Sequence, residues 1–472
     1  MNSPFKPYTA SRRQIWAWGA GGIANHILIC TFGQATAIFT IGFSLNAALV
    51  SWAIMLPRLI DGLVDPILGH ISDNTHTRWG RRKPFLVIGA VLGSGFLIAL
   101  WWANPAWSST VQLAYLTIVG TLFYCSWGLY SMAWNAIGYE LTDDYHERSK
   151  VSAIGSFFLS IVLLGNSWVY WFALRPFFGN EINGIRWIAS AVGVLAIGSA
   201  LYATLVCRER FTNANPKRDH IRIIPAIKAT IKNRPFVTLM MMKIFQTLGE
   251  RAAGGLLFFV GIYYVCQGDK SLATQITGIG GIVGTIWGFS MLPLVKPISR
   301  WIGKKGGLVL GASTSLAAAV ITPFAYSPEH PYWMLFPSLM LVTLLGISNT
   351  IANAIMPDIC DVDELETGHR REGLFTAVMG FVQKIEMSLC ALLVGYLVVW
   401  SGLDTTVALQ PEGVLKRLFW LGVLPNIVFT AGYFILALRF PLTEKTMDEV
   451  RRQLDLRHQK TAPESPAAPI GA

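Results

Sequence analysis

Residues 47–73 read AALVSWAIMLPRLIDGLVDPILGHISD, and a dense basic run follows at once: Arg78-Trp79-Gly80-Arg81-Arg82-Lys83. A spanning helix needs roughly 20 mostly apolar residues, which this stretch supplies, and basic runs accumulate at the cytoplasmic ends of spans. The stretch also carries Arg58, Asp61 and Asp65 at i, i+3 and i+7, which is one face of an α-helix. A charge in the bilayer costs about 2.5–3.5 kcal/mol on insertion scales, so such residues face a polar cavity and one another. Close carboxylates do not both ionise cheaply. An acid pair beside a cation is the chemistry of a proton or Na⁺ site; a structural ion pair of Arg58 with one Asp is the other reading. Pro66, next to Asp65, would free backbone carbonyls beside the acids.

The rest of the chain extends this pattern. Of its 472 residues, 53% are hydrophobic and 14% charged, and the mean hydropathy is +0.47, against about a quarter charged in soluble domains. Apolar segments recur at about 15–42, 47–72, 85–103, 110–138, 151–174, 185–207, 235–265, 273–299, 307–326, 332–357, 373–400 and 415–440. The spacing predicts an all-α integral membrane protein of twelve spanning helices in two six-helix bundles. The segments divide as a cytoplasmic N-terminus (1–14), a first bundle (15–207), a basic linker (208–234), a second bundle (235–440) and a cytoplasmic tail (441–472) with a disordered end. A weak repeat supports the division: Ile71-Ser72-Asp73 and the basic run after it have a counterpart in Ile298-Ser299-Arg300-Trp301-Ile302-Gly303-Lys304-Lys305. Two such halves related by an axis along the membrane normal are the plan of major-facilitator carriers.

The 38 Lys and Arg give a net charge of +11, and most lie in alternate connections and at the termini, which predicts both termini on the cytoplasmic side. Basic residues split among many short loops signal topology and contacts with anionic lipids, not a nucleic-acid groove. The six cysteines are scattered singly, without metal spacing. No HExxH, Walker loop or convincing GxSxG is present, and Gly278-Ile279-Gly280-Gly281-Ile282-Val283-Gly284 lies in an apolar helix, where close packing explains it. The sequence therefore predicts a carrier, not an enzyme, with no cofactor and as a monomer.

Other charges lie inside segments. Lys384, with Glu386 near it, sits deep in the eleventh and is placed to counter the acids of the second. Glu250 and Arg251 lie mid-way along the seventh, with Lys243 nearer the cytoplasmic end. Sequence neighbours on a helix point about 100° apart, so at least one of Glu250 and Arg251 is expected to meet another helix. Trp18, Tyr124, Trp127, Tyr130 and Trp134 offer surfaces on which sugar rings stack, although packing uses the same residues. His26 offers a donor to substrate or to a helix neighbour.

Two motifs carry a family resemblance. Arg58 to Gly69 with Ser72-Asp73 and Arg78 to Pro84, and Asp358-Ile359-Cys360-Asp361-Val362-Asp363-Glu364-Leu365 through Arg370-Arg371-Glu372-Gly373 to Lys384, resemble the signatures of the glycoside–pentoside–hexuronide:cation symporters, in the melibiose-carrier-like branch of the major facilitator superfamily. The resemblance implies cation-coupled symport of a sugar, glycoside or uronide across a bacterial inner membrane by alternating access. It implies a cation site at Asp61 and Asp65 with Lys384 and Arg58 as counter-charges. It also implies a cytoplasmic gate network drawn from Asp73, Arg78, Arg81, Arg148, Asp358, Asp361 and Arg370 that holds the two halves in one state. Where the melibiose carrier has an Asn between the acids, this chain has Val64, and a Thr ligand is replaced by Gly128. Without those oxygens the acids favour H⁺ over Na⁺. Asn25, Ser131 and Ser156 stand where that carrier reads galactosides with charged groups, which turns the substrate expectation towards other carbohydrates, with Arg251 and Lys243 available to an acidic sugar. The candidate substrate residues are Trp18, Asn25, His26, Trp127, Ser131, Trp134 and Arg251. The alternatives are a carrier of lysophospholipid-like or other organic anions and a membrane sensor that binds without transporting.

Overall fold

The computed structural model describes residues 8–75, 77–142, 144–209, 230–369, 371–407 and 409–461. The predicted linker lies largely outside the described residues, as do the first seven residues and the end of the tail. The described residues are mostly helical: α1 (Arg12–Phe32), α2 (Ala47–Asn74), α3 (Lys83–Trp101), α4 (Ser109–Glu140), α5 (Tyr145–Asn166) and α6 (Glu181–Val206) come first. After the linker come α7 (Arg234–Thr247), α8 (Ala253–Val260), α9 (Lys270–Met291), α10 (Val295–Ala325), α11 (Leu335–Thr367), α12 (Glu372–Ser401), α13 (Glu412–Leu438) and α14 (Glu444–Thr461).

Ten helices among the described residues are long and apolar enough to cross a membrane. The other two expected segments are helical but interrupted or more polar. Residues 234–265 are α7 and α8 joined by a π turn at Leu248–Ala252 and followed by another at Gly261–Val265. Residues 335–367 form one helix that carries Asn349, Asn353 and Pro357. Side-chain caps start several helices: Ser11 and Gln14 form a capping box on α1, and the Asn46 and Asn233 side chains accept backbone N–H groups of α2 and α7.

The repeated basic motif is a repeated turn. Gly80 and Gly303 take φ of +115° and +71°, a region a side chain disfavours. At each, the chain turns into a helix that begins with basic residues. The non-helical backbone of Gly303 kinks α10 and divides it into two helical pieces. Trp79 and Trp301 before these glycines are both exposed, consistent with residues at a membrane surface.

The helices of residues 12–206 pack mainly on each other, as do those of 234–438. The two sets meet where α2 lies along α12 and where α9 touches α5. The α2–α12 contact is close enough that a β-carbon on Gly395 would overlap Ser51 and the Ala47 carbonyl. Nearby, Trp52 donates to the Tyr396 hydroxyl at 3.1 Å and the Thr405 hydroxyl to the Thr40 carbonyl at 2.9 Å. Lys270 pairs with Glu181 at 2.9 Å, and Arg175 donates to Ser271 at 2.8 Å. All these contacts lie at the end of the molecule opposite the termini.

Candidate functional site

Asp61 projects from the middle of α2 and is 2% exposed. Lys384, from α12 in the other half, donates to its Oδ2 at 2.8 Å. The expected partnership between the second and eleventh segments is thus formed, and formed across the interface. Burial makes each charge expensive alone, so the pair is held by the cost of separating it as much as by attraction. The Lys384 stem also runs along Gly62, where an added β-carbon would lie in ordinary contact with it. Arg58, one turn away, turns towards its own half, with its guanidinium 5.5 Å from the centre of the Tyr124 ring. Asp65 lies on the next turn of α2, but its side chain is outside the described residues.

A second charged cluster occupies one half alone. Lys243 of α7, Glu250 and Arg251 of the π turn, Asn349 of α11 and Glu386 of α12 line a cavity of about 350 Å³. Glu250 and Arg251 both reach it, opposite Asn349 and Glu386 of other helices. The π turn, wound with i→i+5 bonds, alters the helical register at that point. Lys243 donates to Asn349 Oδ1 at 2.7 Å, and Thr247 to Glu386 Oε1 at 3.1 Å. Arg251 also faces Cys30 of α1, one turn from the candidate His26 in the first half.

The aromatic candidates of the first half are engaged in packing. Trp18 and Trp134 stack at 4.7 Å with an angle of 2°, and each indole N–H donates to the other residue's carbonyl at 2.9 Å. Both are buried, so their faces and N–H groups are occupied by each other. His26 meets the edge of Trp134, and the Trp127 indole donates to the Asn25 carbonyl at 2.8 Å. Tyr130 donates to the Gly21 carbonyl at 2.7 Å. The Ser131 carbonyl and hydroxyl accept from Asn135 at 2.8 and 3.4 Å. The amphipathic chemistry that suggested sugar stacking serves here to join α1 to α4.

At the end that carries the termini, several charges bond partners of their own half. Arg81 and Arg82 reach Glu140 at 3.5 and 2.8 Å, and Glu209 accepts the backbone N–H groups of residues 81–83. In the other half, buried Asp358 holds Lys304 at 2.5 Å and Arg451 of α14 at 3.0 Å. Asp363 takes a forked pair of bonds from Arg371, which pushes that guanidinium's pKa further up. Arg78 and Arg148 are exposed and Asp361 is half-buried. The Asp73 side chain and Arg370 lie outside the described residues. Of the residues expected to bridge the halves, Arg81 bonds Glu140, and Asp358 bonds Lys304 and Arg451, each within its own half. Sequence reasoning missed these partners because an acid at a helix end reads as solvated.

Residues 17–444 match the family described as MFS/sugar transport protein. The chain is similar to the glucuronide carrier protein homolog of Escherichia coli, 23% identical over 95% of this chain and 96% of that one. It is also similar to the putative glycoside/cation symporter YagG of Escherichia coli, 23% identical over 88% of each chain. Among solved structures it resembles a D-xylose-proton symporter, with a TM-score of 0.61 at 16% identity over 89% of this chain and 96% of that one.

Proposed function

Since the chain belongs to the MFS/sugar transport protein family, whose members are membrane carriers, we propose that it is a cation-coupled symporter of a sugar, glycoside or uronide. Relatives named for glucuronide and for glycoside/cation symport support the carbohydrate class. The observation that carries the mechanism is the Asp61–Lys384 pair, because it ties one half to the other at the middle of the spans.

The coupling ion is H⁺. Val64 and Gly128 bring no side-chain oxygen to the acids of α2, whereas Na⁺ needs several and a proton needs one base. Protonation of Asp61, with Asp65 as the second acid, removes a charge that holds Lys384 across the interface. With that tie loosened, a hydroxyl or carboxylate of the substrate competes for the ammonium, and the halves rock about the central site. Coupling demands that ion and substrate favour the same state, and linkage makes their effects on each other's affinity reciprocal. With the termini cytoplasmic, as the basic loops favour, the contacts of α2 with α12 and of α9 with α5 close the outer side. On the inner side Arg81, Arg82, Lys304, Arg371 and Arg451 bond acids of their own half, which suits an inward-open carrier of a bacterial inner membrane.

The test is uptake of radiolabelled glucuronide and lactose into proteoliposomes under imposed gradients. An inward proton gradient is expected to drive accumulation of at least one of them, and a Na⁺ gradient is not. Uptake indifferent to both gradients sinks symport, and uptake driven by Na⁺ alone sinks the choice of ion.

A further inference from the structure

Glu250 occupies an unusual place. It lies in the Leu248–Ala252 π turn, and π turns inside helices recur at functional sites. Besides the cavity of about 350 Å³ it shares with Lys243 and Glu386, it lines a second of about 340 Å³ that extends to Tyr326 and Met334 at the opposite end of the spans. Among the described residues it is the one side chain common to both cavities.

Neither Glu250 nor Glu386 forms an ion pair among the described residues, in contrast to Asp61. Oε1 of Glu250 and Oε2 of Glu386 are buried and accept no hydrogen bond, and Glu386 is 6% exposed. The other oxygen of Glu386 has only the neutral Thr247 hydroxyl, and the Lys243 ammonium is turned to Asn349. The groups facing Glu250 are the Gln246 amide, Lys243 and Arg251 of its own segment, Glu386 of α12 and Tyr433 of α13. Those facing Glu386 are Lys243, Arg251 and, on its own helix, Cys390, which Arg58 of α2 also approaches. From α11 come the uncharged Asn349 and Asn353.

We propose that Glu250 is a second proton-binding site of this protein, with Glu386 as the neighbouring carboxylate that favours its protonated form. Two carboxylates in one cavity, neither salt-bridged, are relieved when one takes a proton. The step is a simple exchange: a hydronium on the side of one cavity gives its proton to a Glu250 oxygen, leaving water and a neutral carboxyl. Release to water in the other cavity restores the carboxylate. Access from both cavities lets one group serve both ends. This goes beyond the coupling reading, which rests on Asp61, and the two fail separately.

Infrared difference spectra of the purified full-length protein in lipid, recorded across a pH titration, test it without any substrate. The wild type is expected to show a titrating carbonyl band of a protonated carboxyl that is lost in Glu250→Gln and retained in Asp61→Asn. Glu386→Gln is expected to move its midpoint to lower pH, because a neighbouring negative charge is gone. Should Glu250→Gln not fold, Glu250→Asp keeps the test alive, since the band must then change frequency. A band unchanged by both substitutions at 250 overturns the site, a band lost only in Asp61→Asn assigns it to the interface acid instead, and an unmoved midpoint in Glu386→Gln overturns the pairing.

Discussion

The molecule holds charge within its spans in two places and treats it differently. At the interface, Asp61 and Lys384 come from opposite halves and neutralise each other at 2.8 Å. Inside the second half, Lys243, Glu250, Arg251 and Glu386 share a cavity, and there Lys243 and Glu386 bond to neutral partners, Asn349 and Thr247. The first arrangement makes the position of one half depend on a charge in the other. The second leaves acids whose protonation is not fixed by a salt bridge. A carrier needs both properties, one to sense the relation of its halves and one to exchange an ion.

Removing one partner of the interface pair gives the largest effect. Asp61→Asn takes from half-buried Lys384 the charge it bonds at 2.8 Å, and breaking a buried pair costs about 3–5 kcal/mol; the lower end applies, since Lys384 is 30% exposed. Its accumulation of substrate against a gradient is expected to collapse to equilibration, while thermal unfolding falls clearly. The double variant Asp61→Asn/Lys384→Met is expected to regain part of that stability. Strict additivity of the two single losses in a melting series breaks the claim that the pair acts as a unit.

Next is the contact that keeps the halves together at the end opposite the termini. Gly395→Val forces a branched side chain against Ser51 and the Ala47 carbonyl, and overpacking costs about 1–3 kcal/mol. That cost falls on the closed arrangement alone, so the balance of states moves by about 5- to 150-fold. A cysteine placed at Thr40, beside this contact, is expected to react faster with a water-soluble maleimide in the Gly395→Val background. An unchanged labelling rate removes this contact as a determinant of the closed end.

Much of this contrast was legible in the sequence, but unevenly. Asp61 and Lys384 stood out because charges in apolar segments have few explanations, and the helical period put Arg58, Asp61 and Asp65 on one face. The turn repeat was equally legible, since Gly80 and Gly303 sit at matching points of two basic motifs and both take positive φ. The second cluster was visible residue by residue but not as a cluster. A π turn alters the helical register on which such an inference depends, and the convergence of α7, α11 and α12 is tertiary. The indoles misled for another reason: an aromatic side chain has the same composition signal whether it stacks on a ligand or on a neighbour, and Trp18 and Trp134 stack on each other.

Within the second cluster, Lys243→Met measures how different the two regions are. Lys243 bonds neutral Asn349 inside a single half, and a hydrogen bond to a charged group contributes about 1.5–3 kcal/mol. The loss of stability is expected to be smaller than for Asp61→Asn, and the labelling rate at Thr40 to stay as in the wild type, because no bond between halves is touched. A destabilisation equal to that of Asp61→Asn, or a changed labelling rate, means that this cluster also reports on the relation of the halves.

The smallest effect separates packing from recognition in the first half. Trp18→Phe keeps an aromatic face against Trp134 but removes the N–H that donates to the Trp134 carbonyl, which contributes about 0.5–1.5 kcal/mol. A modest fall in melting temperature is therefore expected, with the KM for whichever sugar is transported unaltered. Trp18 contributes no open face in this arrangement, so a substrate has no surface there to lose. A severalfold rise in KM with unchanged stability reverses that reading: the indole stack would then have to open during transport, and the aromatic pair would join the interface acid as part of the path.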